Sequence, residues 1–166
     1  MRDEYGFLPG ERVFLFLGTL GQRKGVHDLL EAWQTLHKRS RKTRLIIAGG
    51  MDKAETNKAI LSLAHHPPPG VEYWGMRSDA HELLAAADYF VLPSYGEAMP
   101  ISISEAMMIG TPVIARDVGD VAWQIGGGRG FLFSGKGAKP LRREMRRALS
   151  NGDIASHRAL LAQEFA

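Results

Sequence analysis

The chain has 166 residues, 45% of them hydrophobic, which is enough for one domain with a substantial core. Its 21 basic and 18 acidic residues give a net charge of +3, which suits small anionic ligands but is too weak for a typical nucleic-acid-binding domain. The absence of cysteine excludes a disulfide framework and thiolate metal sites, and it agrees with a cytoplasmic location.

Membrane attachment is not indicated by the sequence. No stretch approaches the about 20 apolar residues that cross a bilayer, and residues 1–5 do not resemble a secretory signal. The basic cluster at 142–147 is compatible with contact to anionic lipid, but its internal Glu144 is more typical of a solvated helix face. We expect a cytoplasmic protein that is at most peripheral at the inner membrane face.

Apolar runs and helical periodicities alternate along the chain. Strands are predicted at 13–17, 44–48, 71–74, 89–92, 112–115 and 130–133, and helices at 25–38, 53–64, 79–86, 101–109, 120–125, 139–149 and 154–165. The first two strands are apolar throughout, as parallel strands covered on both faces are. The pattern predicts an α/β fold, a single Rossmann-like, doubly wound domain over residues 1–166 with a mainly parallel sheet of about six strands.

The loop after the first predicted strand carries two cations at the start of a helix. Arg23 and Lys24 follow Gly18 and Thr19 there, so their side chains lie beside the positive helix N-terminus. This arrangement suits a phosphate clamp, although a polar helix start is the plainer explanation from spacing alone. The dinucleotide motif G-x-G-x-x-G is absent after Leu17, which disfavours a nicotinamide cofactor.

Two carboxylates, Glu97 and Glu105, lie eight residues apart around the turn that follows the fourth predicted strand. In parallel α/β sheets, ligands bind at such strand-to-helix turns. Two alternatives need no ligand. Glu97 would be a solvated turn residue, and Glu105 would close a capping box with Ser102. Ser78 and Asp79 are likewise predicted to cap the helix at 79–86, and Asn151 with Gly152 to end the helix at 139–149.

The same turn carries the strongest resemblance to a known family. The retaining GT-B glycosyltransferases of group 1 have a similar signature, which here reads Pro93-Ser94, Glu97, seven further residues, Glu105-Ala106-Met107 and Gly110-Thr111-Pro112-Val113-Ile114-Ala115. Residues 16–18, 24–25 and 45–50 also fall where the C-terminal, donor-binding domain of that family has them. The resemblance implies the C-terminal half of a GT-B fold. It also implies a hexosyltransferase-type enzyme whose N-terminal, acceptor-binding domain is missing from this sequence.

The resemblance also implies a role for each candidate residue. Glu97 would contact the donor sugar and serve as the catalytic carboxylate, and Glu105 would bind the ribose of the nucleotide. The remaining implied contacts are Arg23, Lys24, Gly18 and Thr19 for the diphosphate, Ala98, Met99 and Gly119 for the sugar, backbone groups of Ile101 and Ser102 for phosphate, and Met76 and Arg77 for the base.

The sequence departs from the family pattern around the donor. Thr19 stands where an Arg is common, Ala98 and Met99 replace a Gly and an aromatic residue, and Asp120 replaces the second of two glycines. Thr19 concerns the diphosphate, and Ala98, Met99 and Asp120 concern the sugar slot, so the sequence does not identify the donor sugar.

No metal and no cofactor are expected, only a nucleoside diphosphate sugar as substrate. The six histidines show no convincing metal-ligand spacing, and an Asp-x-Asp motif is absent. Two alternatives stay open, a nucleotide-sugar epimerase-type enzyme and a non-catalytic interaction domain of the same fold. A phosphorylase is disfavoured, because no lysine stands in a recognisable context for pyridoxal phosphate.

Overall fold

The predicted strands form one parallel sheet. The computed structural model describes residues 1–52, 58–151 and 154–164. Its strands are β1 (Arg12–Leu17), β2 (Thr43–Ala48), β3 (Val71–Gly75), β4 (Tyr89–Leu92), β5 (Val113–Arg116) and β6 (Gly130–Phe133). They are arranged in the order β3-β2-β1-β4-β5-β6, and every neighbouring pair is parallel. The predicted α/β, doubly wound fold is confirmed.

Helices connect the strands. They are α1 (Val26–His37), α2 (Lys58–Ser62), α3 (Ala80–Ala86), α4 (Ile101–Ile109), α5 (Val121–Ile125), α6 (Ala138–Ser150) and α7 (Ile154–Glu164), preceded by a 3₁₀ turn at Asp3–Tyr5. The bounds of α4 are as predicted, because Pro100 and Gly110 flank it. The predicted start of the second helix, at 53–57, and the predicted stop at Gly152 both lie outside the described residues.

Side chains of β1 alternate between two hydrophobic cores. Phe14 and Phe16 pack with α1, α2 and α6 on one face of the sheet. Val13 and Leu15 pack with α3, α4 and α5 on the other face. Trp33 of α1 is fully buried, meets the Phe14 ring edge-on at 5.7 Å and donates its indole N–H to a backbone carbonyl at 3.1 Å. Burial on both faces explains why these strands are apolar throughout.

The segment before β1 is part of the folded domain. Phe7 is buried and stacks on Trp74 of β3, with ring centroids 6.0 Å apart. Tyr5 lies 5.8 Å from the same indole, and the guanidinium groups of Arg2 and Arg44 lie over the Phe7 ring. This aromatic cluster covers the β3 side of the sheet.

Asp79 lies at the N-cap position of α3, as predicted, but its side chain makes no capping hydrogen bond. Its carboxylate instead accepts two hydrogen bonds from Arg77, at 2.8 and 2.6 Å, and one from the Tyr5 hydroxyl at 2.9 Å. The hydrogen bonds from Arg77 lower the pKa of Asp79 to about 2. The capping prediction was wrong because a nearby guanidinium competes better for the carboxylate than a backbone amide does.

The basic cluster at 142–147 lies on α6. Arg143 and Arg147 both reach the buried Glu144, each at 3.2 Å, so part of this charge is paired. Across residues 1–52, 58–151 and 154–164, no helix combines the length and the apolar character needed to cross a membrane.

The strand order creates a crevice at the carboxyl edge of the sheet. β1 and β4 are neighbours, yet β1 leads into α1 on one face and β4 leads into α4 on the opposite face. The loops after these two strands therefore diverge, and ligands of open α/β sheets bind at this switch point.

Candidate functional site

Lys24 and Glu97 meet at the switch point. Lys24 lies at the end of the loop after β1, Glu97 lies in the loop after β4, and Nζ is 2.6 Å from Oε1. Their side chains are 22% and 11% exposed, so the pair is partly shielded from water but open to a ligand. The structure thus brings together two of the predicted site residues, one cation and one carboxylate.

Backbone contacts hold these two loops together. The amide of Tyr95 donates to the carbonyl of Arg23 at 2.8 Å, and the Arg23 guanidinium donates to the carbonyl of Gly96 at 3.2 Å. Gly25 has a φ of 70°, and a Cβ there would lie 2.2 Å from the carbonyl oxygen of Pro93. Only glycine fits this approach, so the two loops can lie this close only with glycine at position 25.

A third loop, between β5 and α5, packs against the Glu97 loop. A Cβ on Gly119 would lie 2.1 Å from the carbonyl oxygen of Glu97 and 2.5 Å from that of Ala98. The amide of Asp120 also donates to the Ala98 carbonyl at 2.9 Å. Gly119, predicted at the sugar, therefore supports the chain that presents Glu97, while Met99 stands exposed beside it.

Helix α4 begins directly after the loop that carries Glu97. Its first turn contains Ile101 and Ser102, and Pro100 is the flanking residue, with no side-chain capping bond. The capping-box explanation for Glu105 is wrong, because Ser102 lies inside the helix and not at its N-cap. Glu105 lies one turn along α4, half-exposed, with an oxygen 3.4 Å from Nε2 of His81.

An open cleft of about 340 Å³ lies at the carboxyl ends of β1, β2 and β3. It is lined by Leu17, Gly18, Thr19, Ala48, Gly49, Gly50, Met76, Arg77 and Ala80. The two residues predicted at the base and two of those predicted at the diphosphate thus share one cleft. The close approach of β1 and β2 here requires glycine, since a Cβ on Gly49 would overlap the carbonyl oxygen of Gly18. Met76 is 84% exposed at the rim.

Three residues next to the site were not predicted from the sequence. Arg116, the last residue of β5, is buried and donates to the Asp28 carboxylate at 2.8 Å. The Tyr95 hydroxyl donates to the same carboxylate oxygen, and the Arg116 guanidinium lies 4.0 Å from the centre of the Tyr95 ring. Two features of the sequence could have indicated this buried pair. An arginine ends an apolar strand, and an aspartate lies on the apolar side of α1, and buried charges need partners.

Two further observations bear on the chemistry of the site. Within the described parts of the chain, no group of three or more His, Cys, Asp or Glu side chains is placed to hold a metal ion. Burial raises the pKa of Tyr89, on the neighbouring β4, to about 12, and its hydroxyl donates to the Ala148 carbonyl at 2.8 Å. Tyr89 is thus a neutral structural residue.

Comparisons with known proteins agree with this architecture. A family model described as "Glycosyl transferases group 1" matches residues 11–151. The Bacillus subtilis protein TuaC, named for a glycosyltransferase of teichuronic acid biosynthesis, is 31% identical over 141 residues, which are 85% of this chain and 34% of TuaC. The chain therefore spans about a third of the length of this curated relative.

Solved structures show the same fold. WaaG, a glycosyltransferase involved in lipopolysaccharide biosynthesis, superimposes with a TM-score of 0.83 and 26% identity over 99% of this chain and 45% of its own. HepE from Anabaena, solved with UDP-glucose, gives a TM-score of 0.76 and 24% identity over 99% of this chain and 47% of its own. Together with the family match, these structures identify the fold as a C-terminal GT-B domain, and the chain belongs to the group 1 glycosyltransferase family.

Proposed function

We propose that this chain is the donor-binding domain of a retaining glycosyltransferase that needs no metal ion. It would transfer a sugar from a nucleoside diphosphate sugar to an acceptor bound by another domain. The observation that carries the proposal is the Lys24–Glu97 contact at the switch point between β1 and β4. A nucleoside diphosphate sugar bound at the switch point would bring its anionic diphosphate to the cation and its sugar hydroxyls to the carboxylate.

Lys24 is the proposed clamp for the diphosphate. Negative charge grows on the diphosphate as its bond to the sugar breaks, and a fixed ammonium group beside it stabilises that charge. The first-turn amides of α4, at Ile101 and Ser102, add donors at a positive helix end. A protein cation in this place supplies the charge that a divalent metal supplies elsewhere, which is why we propose metal independence.

Glu97 is the proposed partner of the sugar. Its carboxylate would exchange Lys24 for hydroxyl groups of the donor sugar, and it would stabilise the positive, oxocarbenium-like centre that develops during transfer. Ala98 and Met99 flank it, and Gly119 holds its loop. Retention of anomeric configuration is proposed from the similarity of the motif around Glu97 to retaining enzymes.

The cleft beside β1, β2 and β3 is the proposed place of the nucleoside. Gly18, Gly49 and Gly50 line it, and Met76 with Arg77 forms one rim. Glu105 is the proposed ribose ligand, because a half-exposed carboxylate accepts two hydroxyl groups well. HepE, which has the same fold, was solved with UDP-glucose, so UDP is the first nucleotide to test.

A titration of the 15N-labelled chain with UDP, GDP and ADP tests donor binding. We expect one of these nucleotides to shift amide signals of the loops at 18–25 and 93–102 and of the cleft residues, and to leave the β6 signals in place. If none of the three shifts these signals, the chain binds none of these nucleoside diphosphates and the proposal fails.

Metal independence and retention are tested on the full-length enzyme. Transfer should continue at the same rate after exhaustive treatment with EDTA, and a loss that Mg²⁺ or Mn²⁺ restores would contradict metal independence. The anomeric proton coupling of the product, measured by NMR, should match that of the donor sugar. A product of opposite configuration would contradict retention.

A further inference from the structure

The guanidinium group of Arg116, a buried residue beside the site, donates three hydrogen bonds. Only 3% of the residue is exposed. Nε donates to the carbonyl of Pro93 at 3.1 Å, Nη1 donates to the carbonyl of Gly135, and Nη2 donates to Asp28 at 2.8 Å. A planar guanidinium has donors in fixed directions, so these three bonds determine where the three acceptors lie relative to one another.

Asp28 neutralises this buried charge and adds a further connection. Its Oδ2 atom accepts hydrogen bonds from both Arg116 and the Tyr95 hydroxyl. The same hydroxyl accepts from the amide of Gly137, at the start of α6, at 3.0 Å. The buried network therefore joins α1, the loop after β4, the end of β5 and the start of α6.

The network is attached to both halves of the Lys24–Glu97 pair. Asp28 lies in the first turn of α1, four residues after Lys24. Pro93 and Tyr95 belong to the loop that carries Glu97. Thus the groups that Arg116 holds are in the same two segments as the cation and the carboxylate of the site.

We propose that Arg116 is a positioning residue for donor binding. Through Asp28 and Tyr95 it sets the separation of the two loops, and so presents Lys24 to the diphosphate and Glu97 to the sugar in one fixed arrangement. Pre-arranged charges of this kind bind a ligand without the cost of ordering the loops at the moment of binding. The binding part of this inference rests on the proposed function.

Two variants separate positioning from general stability. The double variant Asp28→Asn/Arg116→Met removes both buried charges together, because removing one alone would leave the other unpaired in the interior. The variant Tyr95→Phe keeps the ring that lies against Arg116 and removes only the hydroxyl group. Since Tyr95 is partly exposed, this second variant should fold even if the double variant does not.

The first measurement is amide hydrogen exchange without any ligand. In both variants we expect the amide of residue 95, which donates to the carbonyl of Arg23 at 2.8 Å, to exchange about threefold to tenfold faster than in the wild type, the effect of loosening one hydrogen bond between the loops. Phe14, in the core of β1, should keep its protection. An equal change at Phe14 and at residue 95, or no change at residue 95, would overturn the positioning role.

The second measurement is the affinity for UDP, GDP and ADP by calorimetry. The nucleotide that the wild type binds should bind about threefold to tenfold more weakly to Tyr95→Phe, and more weakly still to the double variant. The matched control is Glu11→Gln/Arg44→Met, which removes an ion pair of 3.1 Å at the opposite edge of the sheet. This control should leave the nucleotide affinity unchanged.

The outcomes distinguish a failure of this inference from a failure of the proposed function. Unchanged affinity in both variants, with a wild type that binds nucleotide, would overturn the inference and leave the proposed function standing. A wild type that binds none of the three nucleotides would overturn the proposed function, and hydrogen exchange alone would then decide whether Arg116 positions the loops.

Discussion

Lys24 donates a hydrogen bond to Glu97 across 73 residues of sequence, with Nζ 2.6 Å from Oε1, so the cation and the carboxylate of the site are each other's partners. Under the proposed function, a donor would have to separate this ion pair to use either group. Phosphate oxygens would replace Glu97 on the ammonium, and sugar hydroxyls would replace Lys24 on the carboxylate. The ion pair compensates both charges, and it would lower the affinity for any ligand that engages only one of them.

Replacing Lys24 with alanine should weaken UDP binding by about tenfold or more, since a charge-assisted hydrogen bond contributes about 1.5–3 kcal/mol. Lys24→Arg keeps the charge and should retain part of the affinity. Calorimetry measures both, and Lys42→Ala is the control because that exposed lysine precedes β2 at the opposite edge of the sheet. Equal affinity of wild type and Lys24→Ala would remove Lys24 from the clamp.

Replacing Glu97 should separate transfer from nucleotide binding. In the full-length enzyme, Glu97→Gln should lower kcat/KM by about 100-fold or more, the usual cost of losing one group that stabilises the transition state. UDP lacks the sugar and no longer competes with Glu97 for Lys24, so its affinity should stay the same or rise. Unchanged transfer would contradict the role of Glu97, and weaker UDP binding would place it at the nucleoside instead.

We expect position 119 to require glycine for two reasons, its left-handed backbone conformation and the close packing of the Glu97 loop against it. Gly119 and Gly127 have φ angles of 53° and 70°, but only at Gly119 would a Cβ collide with another segment. Gly127→Ala should cost about 1–2 kcal/mol of unfolding free energy for the left-handed backbone alone. Gly119→Ala should cost more and move the amide signals of Glu97 and Ala98. Urea unfolding and NMR spectra test both, and equal losses with unmoved signals would contradict the close packing.

Two tryptophans provide a matched test of the core. Trp33 is fully buried on α1, whereas Trp123 of α5 is 74% exposed. Trp33→Ala should lower the free energy of unfolding by about 3–5 kcal/mol, through lost burial and the cavity left behind. Trp123→Ala should change it by no more than about 0.5 kcal/mol. Denaturant unfolding followed by circular dichroism gives both values, and a small effect at Trp33 would contradict its place in the core.

Stability should fall at high pH because of Tyr89. Its pKa is about 12 in the folded chain, and an unfolded tyrosine titrates near pH 10. The unfolded state therefore loses its proton first, so the stabilisation is complete below about pH 10 and is lost as the pH rises towards 12.

Tyr89→Phe removes this titration and the hydrogen bond to Ala148. Its unfolding free energy should start lower at neutral pH but decline less steeply between pH 10 and 12 than that of the wild type. Urea unfolding at a series of pH values compares the slopes. Parallel declines would show that Tyr89 does not contribute to the loss.

The fold follows from local sequence patterns, and Glu97 was chosen because its turn resembles the motif of a known family. Apolar runs predicted six strands, and the flanking Pro100 and Gly110 fixed the ends of α4. The turn motif pointed to Glu97, whose side chain the structure places against Lys24. These features depend on neighbouring residues in the chain, which is why a single sequence reveals them.

Features that depend on distant contacts were missed. Arg116 and Asp28 are 88 residues apart, so no local pattern indicates that they pair. The predicted cap at Asp79 was wrong mainly for a local reason, because Arg77, two residues before it, donates two hydrogen bonds to the carboxylate. Tyr5, 74 residues away, adds a third that the sequence did not indicate. Side chains that satisfy each other across the fold cannot be assigned before the strand order is known.

The stacking of Phe7 on Trp74 has a practical consequence for domain exchange between group 1 enzymes. A graft joined at Arg12, where the first strand begins, would strip the aromatic cover from the outer strand and expose the indole to solvent. A graft joined ahead of Arg2 would carry that cover with it. The better fusion point for chimeras therefore lies before the 3₁₀ turn at Asp3–Tyr5, about ten residues upstream of the start of the first strand.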